Sequence, residues 1–428
     1  MGAPGGGHDG GVHEVLGPAS LVRKSGVVLR LGSLLLAAGA GSYRVKDSMR
    51  RAAHALGLHE HRAQVTLTEI TTSSREGEHV RTEVTEQREV GVNAERIDAI
   101  AGVVNRLLPG IEVSELHAML DRVERTPHRY GPLLNPLAVA LACAGFAFLN
   151  DGGPLVCVVV LIAAGLGQYA RRHLQRLGLN KFAITALAAA LSSSIYVGIM
   201  QGAEQLGFAD PSHEAGLISA VLYLVPGFPM VTAVLDIVRM DLSAGLTRLV
   251  YVTATLLSAG MSVWAVTWIV ELQIDAPEAA VAGGGLLLVL RIVASGIAAA
   301  GFATLFNSSP PAVALAGVIG AIANPGRLYL VDAGLAPQVA SLLAACTVGL
   351  LAALVAARGP FSRVTLSVPA VVIMVPGVVV YRSLVHLNEG QVATALGNGV
   401  EATFVIMGIG VGLALSRMLT DRNWAFER

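Results

Sequence analysis

Twice in this chain a long apolar run is interrupted by Pro-Gly. Positions 223–236 read YLVPGFPMVTAVLD, and positions 371–386 read VVIMVPGVVVYRSLVH. Proline lacks a backbone donor and clashes with the preceding turn, and glycine is the weakest ordinary helix former. A helix broken there exposes carbonyls at the end of its first half and N–H groups at the start of its second. The carbonyls attract a cation and the N–H groups a carboxylate. Pro226, Gly227, Phe228 and Pro229, with Pro376 and Gly377, are therefore candidates for holding a small zwitterion. One such break is as readily a packing kink; a pair in corresponding places favours a site.

Ionisable and hydroxyl side chains extend the set. Asp236 follows Pro226 by ten residues, and His386 follows Pro376 by ten. Ionisable groups at membrane depth are costly and are functional candidates by default. Asp236, Asp241, His386 and Glu401 are thus candidates for carrying a coupling proton. Tyr381 and Arg382 border the second break; Arg382 either binds a carboxylate or snorkels to the surface. Ser193, in the run Ser192-Ser193-Ser194, offers a hydroxyl to a polar path or serves close helix packing. Other patterns read as structure. GIGVG at 408–412 has no preceding strand, so helix packing explains it better than a dinucleotide loop. His54, His59 and His61 read as a solvated helix end. Cys143, Cys157 and Cys346 read as small apolar fillers. No P-loop, H-E-x-x-H or G-x-S-x-G motif is present, so no catalytic residue, metal site or cofactor is expected.

The elements that position these residues are set by composition. The chain has 428 residues, 54% hydrophobic and only 14% charged, which is too apolar for one soluble domain. Residues 1–130 hold 16 of the 30 Lys and Arg and 16 of the 30 Asp and Glu. The expected organisation is a disordered tail at 1–16, a small cytoplasmic α+β domain at 17–130, and a membrane all-α region. Zero net charge argues against nucleic acid as a partner. Within the polar domain, the run from Gly26 through SYRVKDSMRRAAHALGL predicts one long amphipathic helix. Strands at 64–72 and 79–90 flank a turn at Arg75-Glu76-Gly77, a hairpin signal. Two helices follow, the second with Ser114 as N-cap.

A membrane span needs about 20 predominantly apolar residues. The expected spans are 133–149, 154–170, 182–201, 216–238, 249–270, 283–305, 312–324, 335–357, 364–384 and 399–418. With the N-terminus inside, eleven Lys or Arg fall in inner loops and two, Arg327 and Arg382, fall outside. That is the positive-inside bias, and it puts both termini in the cytoplasm. Arg291 reads as a snorkelling or paired residue within the sixth span. AGFAFLN ends the first span and AGFATLFN the sixth, and the Pro-Gly breaks fall in the fourth and ninth. The unit is five spans used twice, at 131–275 and 276–428. An odd number of spans inverts the second copy, as in many secondary transporters.

The segments GAGSYRVKDSMRRAAHALGL at 39–58, VPGFPMVTAVLDIVRMDLSAGLTRL at 225–249 and VPAVVIMVPGVVVYRSL at 368–384 resemble the threonine/serine exporter family. The resemblance runs from about residue 20 to 418. It implies ten spans with a cytoplasmic N-terminal domain and proton-driven export of threonine and serine across the cytoplasmic (inner) membrane. The family pattern falls on Pro226, Gly227, Pro229, Asp236, Asp241, Ser243, Gly245 and Arg248. The second half departs from it, with Val379 after its Pro-Gly and Gln391 where Asp241 would be, so the two breaks are not equivalent. Partners on this reading are a small amino acid, protons and the bilayer, and a homo-oligomer is compatible with it. The alternative is a membrane-anchored sensor or regulator whose N-terminal domain is the active part. Repeated polar breaks exceed what an anchor requires, which favours transport.

Overall fold

A computed structural model describes residues 18–87, 91–208, 213–270, 284–388 and 390–425. The 1–16 tail, the strand residues 88–90, the whole loop at 271–279 between the fifth and sixth spans, and Arg428 lie outside them.

The N-terminal segment opens with α1 (Pro18–Ala37) and α2 (Ser42–Ala55). One helix was expected here; the chain breaks it at Gly39, whose φ of 90° favours glycine. Gly39 and Ala40 N–H groups donate back to Leu36 and Leu35 carbonyls, closing α1 and letting α2 fold back on it. Gly32 makes the approach close enough for Met49 to lie over it. Strands β1 (Glu60–Val65), β2 (Glu69–Glu76) and β3 (His79–Glu86) form an antiparallel sheet in that order. The turn at Gly77 stands where expected. The run expected as one strand at 64–72 is divided between two, because Thr66 turns the chain by donating to the Glu69 carbonyl. Helices α3 (Ala94–Asn105) and α4 (Val113–Glu124) complete the segment. Asn93 caps α3, its side chain accepting from Arg96 N–H at 3.1 Å. Ser114 is not the cap of α4: the helix begins one residue earlier, and the hydroxyl bonds the Glu112 carboxylate.

The rest is helical. In order come α5 (Leu134–Leu149), α6 (Pro154–Arg176), α7 (Lys181–Gln205), α8 (His213–Val221), α9 (Gly227–Val238) and α10 (Leu242–Ile269). Then follow α11 (Gly285–Leu305), α12 (Pro310–Asp332), α13 (Pro337–Ala356), α14 (Arg363–Val372), α15 (Gly377–Asn388), α16 (Val392–Thr420) and the short α17 (Arg422–Ala425). Among the described residues, seven of these are long and apolar enough to cross a membrane: α6, α7, α10, α11, α12, α13 and α16. Two further candidates are bent pairs, α8–α9 by 70° and α14–α15 by 53°, and α5 is a shorter apolar helix. This is a multi-pass membrane protein. Helix ends differ from expectation where polar residues continue a helix past its apolar run. Thus α10 starts at Leu242, α16 at Val392, and α12 runs on to Asp332. Arg327 therefore lies within a helix rather than in a loop.

Several backbone features occur twice. Asp151 and Asn307 have φ of 65° and 58° ahead of Pro154 and Pro310, which start the 23-residue helices α6 and α12. Those helices end at Gly178 and Gly334, both with positive φ. Gly227 N–H donates to the Val225 carbonyl and Gly377 N–H to the Val375 carbonyl, each at 2.8 Å. Asp241 N–H meets the Asp236 carbonyl at 2.9 Å, and Gln391 N–H the His386 carbonyl at 2.8 Å.

Candidate functional site

The two breaks touch. After α8 a single 3-10 turn, Leu222–Leu224, tightens the chain before Pro226. A Cβ placed on Gly227 would lie 2.5 Å from Val372 Cγ2, at the end of α14. One placed on Gly377 would lie 3.6 Å from Ile218 and 3.7 Å from Leu222, at the end of α8 and its turn. Each break glycine thus abuts the end of the other broken helix, and the contact is aliphatic rather than polar. Phe228 is fully buried and meets Phe306 edge-on, with ring centroids 5.6 Å apart. Pro229 is buried, while Pro226 and Pro376 are half-buried. Polar groups border the first break: Tyr223 shares a 3.0 Å hydrogen bond with Ser192, and its carbonyl accepts from Arg171 Nη1 at 3.3 Å. Ser193 is fully buried, and its hydroxyl meets no partner among the described residues. Tyr381 is buried, Arg382 and His386 are half-buried along α15, and Glu401 is exposed on α16.

Asp236 and Asp241 form a second cluster, where α9 turns into α10. Asp236 is fully buried. Its Oδ2 lies 3.0 Å from Arg248 Nε, a charge contact without an aligned hydrogen bond. Its Oδ1 accepts from Ser42 N–H at 2.9 Å, so a carboxylate from the membrane region caps the N-terminus of α2. Arg248 is 1% exposed; its Nη2 donates to the Ala40 carbonyl at 2.7 Å. Gly41 has no Cβ to press on Asp236, and Gly245 lets α10 approach the Ala233 carbonyl of α9. Outside this core Asp241 pairs with Lys46, and Leu67 N–H donates to Thr247. Arg417 stacks on Tyr43 and Trp424, with its guanidinium 5.0 and 4.7 Å from the ring centroids.

The N-terminal segment also grips later helices. Asp98 accepts from Ser362 N–H at 2.9 Å and from the Thr365 hydroxyl, capping α14, whose own Ser362 supplies no side-chain cap. Burial raises the Asp98 carboxyl above its ordinary range, and these hydrogen bonds pull it partly back. At the α11–α12 turn, Phe306 and Asn307 carbonyls accept from Ala94 and Glu95, and Tyr130 donates to the Ser308 carbonyl at 2.7 Å. One segment is therefore fastened to α9, α10, the α11–α12 turn and α14.

The candidates thus divide into groups. Pro226, Gly227, Phe228, Pro229, Pro376 and Gly377 come together at the paired breaks, and Asp236 with Asp241 at the N-terminal segment. Glu401 joins neither. Arg248 was expected as an inner-loop charge and as a member of the family pattern, not as a site residue. Its place in the motif with Asp236 was visible, but its burial was not. Ser42 and Ala40 contribute backbone groups, which residue type cannot reveal.

Comparisons with known proteins identify the family. Residues 26–270 match the family described as "Putative threonine/serine exporter", and residues 291–419 match "Threonine/Serine exporter, ThrE". A "Probable threonine/serine exporter" of Mycobacterium tuberculosis is 26% identical, over 92% of this chain and 76% of that protein. A "Threonine/serine exporter" of Corynebacterium glutamicum is 25% identical, over 92% and 81%. A "Probable succinate transporter subunit YjjP" of Escherichia coli is 27% identical, over 51% of this chain and 84% of that protein. No solved structure matches. With the first family model alone covering more than half the chain, from α1 through both arms of the first break and the Asp236–Arg248 pair, this protein belongs to the threonine/serine exporter family.

Proposed function

We propose that the chain is a ten-span secondary transporter that exports threonine and serine, driven by inward movement of protons. The observation that carries this reading is the pair of breaks. The contact of Gly227 with Val372 and that of Gly377 with Leu222 are related by the same shift of 150 positions in both partners. A reciprocal contact of this kind is what a two-fold axis between two copies would produce. The paired turns, caps and positive-φ residues along α5–α10 and α11–α16 support two inverted five-span repeats, counting α5 and each bent pair as one span. Irregular backbone at membrane depth must be buried in protein or line a wet cavity. The break glycines pack on each other's helix ends here, and on this reading the substrate path along Ser193, Tyr381 and Arg382 is closed at that level. Asp236, with Asp241 beside it, is the proposed proton carrier, and His386 and Glu401 are the reserve candidates. The printed names of the relatives support a small amino acid as substrate. The Lys and Arg bias supports a cytoplasmic N-terminal segment and C-terminus.

At a potential of 100 mV one proton contributes about 2.3 kcal/mol, roughly a fiftyfold concentration ratio, so one proton per amino acid suffices for export. The test uses purified protein in vesicles loaded with labelled threonine. Efflux should rise when an opposing proton gradient is imposed. Asp236→Asn should lose that acceleration yet keep threonine–threonine exchange. No threonine or serine flux above that of empty vesicles, with the protein folded, would refute the transporter reading and favour a membrane-anchored regulator.

A further inference from the structure

We propose that Arg327 binds the carboxylate of the transported amino acid, and that Arg171 is its counterpart, closed in this state onto a backbone carbonyl. The proposal rests on the transporter reading above and assigns two residues of the substrate path.

Helices α6 and α12 share a length of 23 residues and the same entry and exit turns. Each carries an arginine five residues before its last residue, with a buried amide three residues earlier. In α6 the amide is Gln168, which donates to Asn135 at 2.8 Å. In α12 it is Asn324, fully buried, which donates to the Ser295 hydroxyl at 2.9 Å. The arginines then differ. Arg171 reaches the Tyr223 carbonyl, just before the first break. That carbonyl needs a donor, since Pro226 has no N–H and the Gly227 N–H is used on Val225. The corresponding carbonyl before the second break is that of Ile373. It too has lost both local donors, because Pro376 has no N–H and the Gly377 N–H is used on Val375.

Arg327 does not take that place. Its Nε donates to Asn324 Oδ1 at 2.9 Å, and its two terminal nitrogens meet no acceptor among the described residues. It has the register to serve this break. Gly320, two turns earlier on nearly the same face of α12, packs on Ile373. The Asn324–Ser295 chain therefore fixes this guanidinium, and its correspondence with Arg171 relates it to the donor-poor break at Ile373. A guanidinium fork matches a carboxylate in two parallel hydrogen bonds, and a freed carbonyl attracts an ammonium. Arg327 and the Ile373 carbonyl together complement an α-amino acid.

The two arginines lie toward opposite ends of the helical region. Arg171 is beside Arg172, which donates to the Tyr130 carbonyl near the N-terminal segment. Arg327 lies about 25 Å along α12 from Pro310, which starts at that same end. The end fastened by the N-terminal segment has its arginine closed on a carbonyl, and the far end has its arginine open. Exchange of access would reverse these roles. Arg327 would close on Ile373 and Arg171 would be released to take the next carboxylate.

The test measures binding of labelled L-threonine and of L-threoninol, which lacks the carboxylate, to purified full-length protein in nanodiscs. Wild type should prefer threonine. Arg327→Gln should weaken threonine by about tenfold or more, leave threoninol unchanged and keep the melting temperature; Arg327→Lys should recover part of the loss. Equal threonine affinity in wild type and Arg327→Gln overturns the proposal, as does equal loss of both ligands. The measurement is repeated in zwitterionic and in anionic lipid. If anionic lipid rather than threonine stabilises wild type, and Arg327→Gln abolishes that effect, the residue is a headgroup anchor and the proposal falls. Wild type that binds neither ligand refutes the transporter reading itself, a different result from a variant that binds normally.

Discussion

Arg248→Leu should release the N-terminal segment from the membrane helices more severely than any other single change in that cluster. The substitution leaves Asp236 fully buried with its opposite charge gone and only N–H groups of the first turn of α2 facing it, and it removes the donor from the Ala40 carbonyl. Stranding one partner of a buried ion pair costs about 3–5 kcal/mol. At about 1.36 kcal/mol per decade, that is roughly 150- to 5,000-fold in the docking equilibrium. The protein can limit this cost by undocking α2, which would let water reach Asp236. Hydrogen exchange on peptides spanning 38–48 and 234–250 is therefore the assay. Asp236→Asn should be milder, because its amide oxygen still accepts from Ser42 and Arg248 keeps the Ala40 carbonyl. The double variant Asp236→Asn, Arg248→Leu should exchange more slowly than Arg248→Leu alone. Single effects that add without coupling, or protection at Ser42 unchanged in Arg248→Leu, would refute the view that this pair fastens the segment.

Gly227→Ala should destabilise by about 1–3 kcal/mol, since its Cβ would lie 2.5 Å from Val372, whereas Gly377→Ala has room. Thermal unfolding checks the difference, and Val372→Ala should rescue the first variant. The raised Asp98 carboxyl means the folded protein holds that proton to higher pH than the unfolded chain, so its contribution to stability is lost as pH rises from about 4 through the folded value. The thermal unfolding temperature should therefore fall over that window more in wild type than in Asp98→Asn; identical profiles would refute it. A cysteine placed at Gly178 should react only with cytoplasmic reagent, and labelling solely from outside would invert the proposed orientation.

The breaks and the helical membrane class were legible because proline and glycine act locally and a long apolar run has few other fates. The ends of α10, α12 and α16 were not, because hydropathy falls before helical hydrogen bonding does. Arg327 was placed in a loop for that reason. The split of the first helix at Gly39 and of the first strand at Thr66 followed from turn hydrogen bonds, which composition does not encode. Ser114 failed as a cap because Glu112 already occupied that end of α4. Most opaque was the partner of Asp236. Arg248 is twelve residues away in sequence and carries the right charge, but nothing local reveals that both would be buried beneath Ala40–Ser42.

That burial bears on which conformation is seen. Asp236 caps a helix of the N-terminal segment, and Asp98 of that segment caps α14. The two contacts run in opposite directions across the same interface, and they hold one broken helix from each half of the membrane region. Opening a path between those halves at this end would pull at least one carboxylate off its helix terminus. Each such cap is worth of order 1 kcal/mol, and the Asp236–Arg248 pair adds to it. On the transporter reading proposed above, the fastened end is the closed end. Arg171 lying on the Tyr223 carbonyl while Arg327 turns to Asn324 is a matching asymmetry between the two halves.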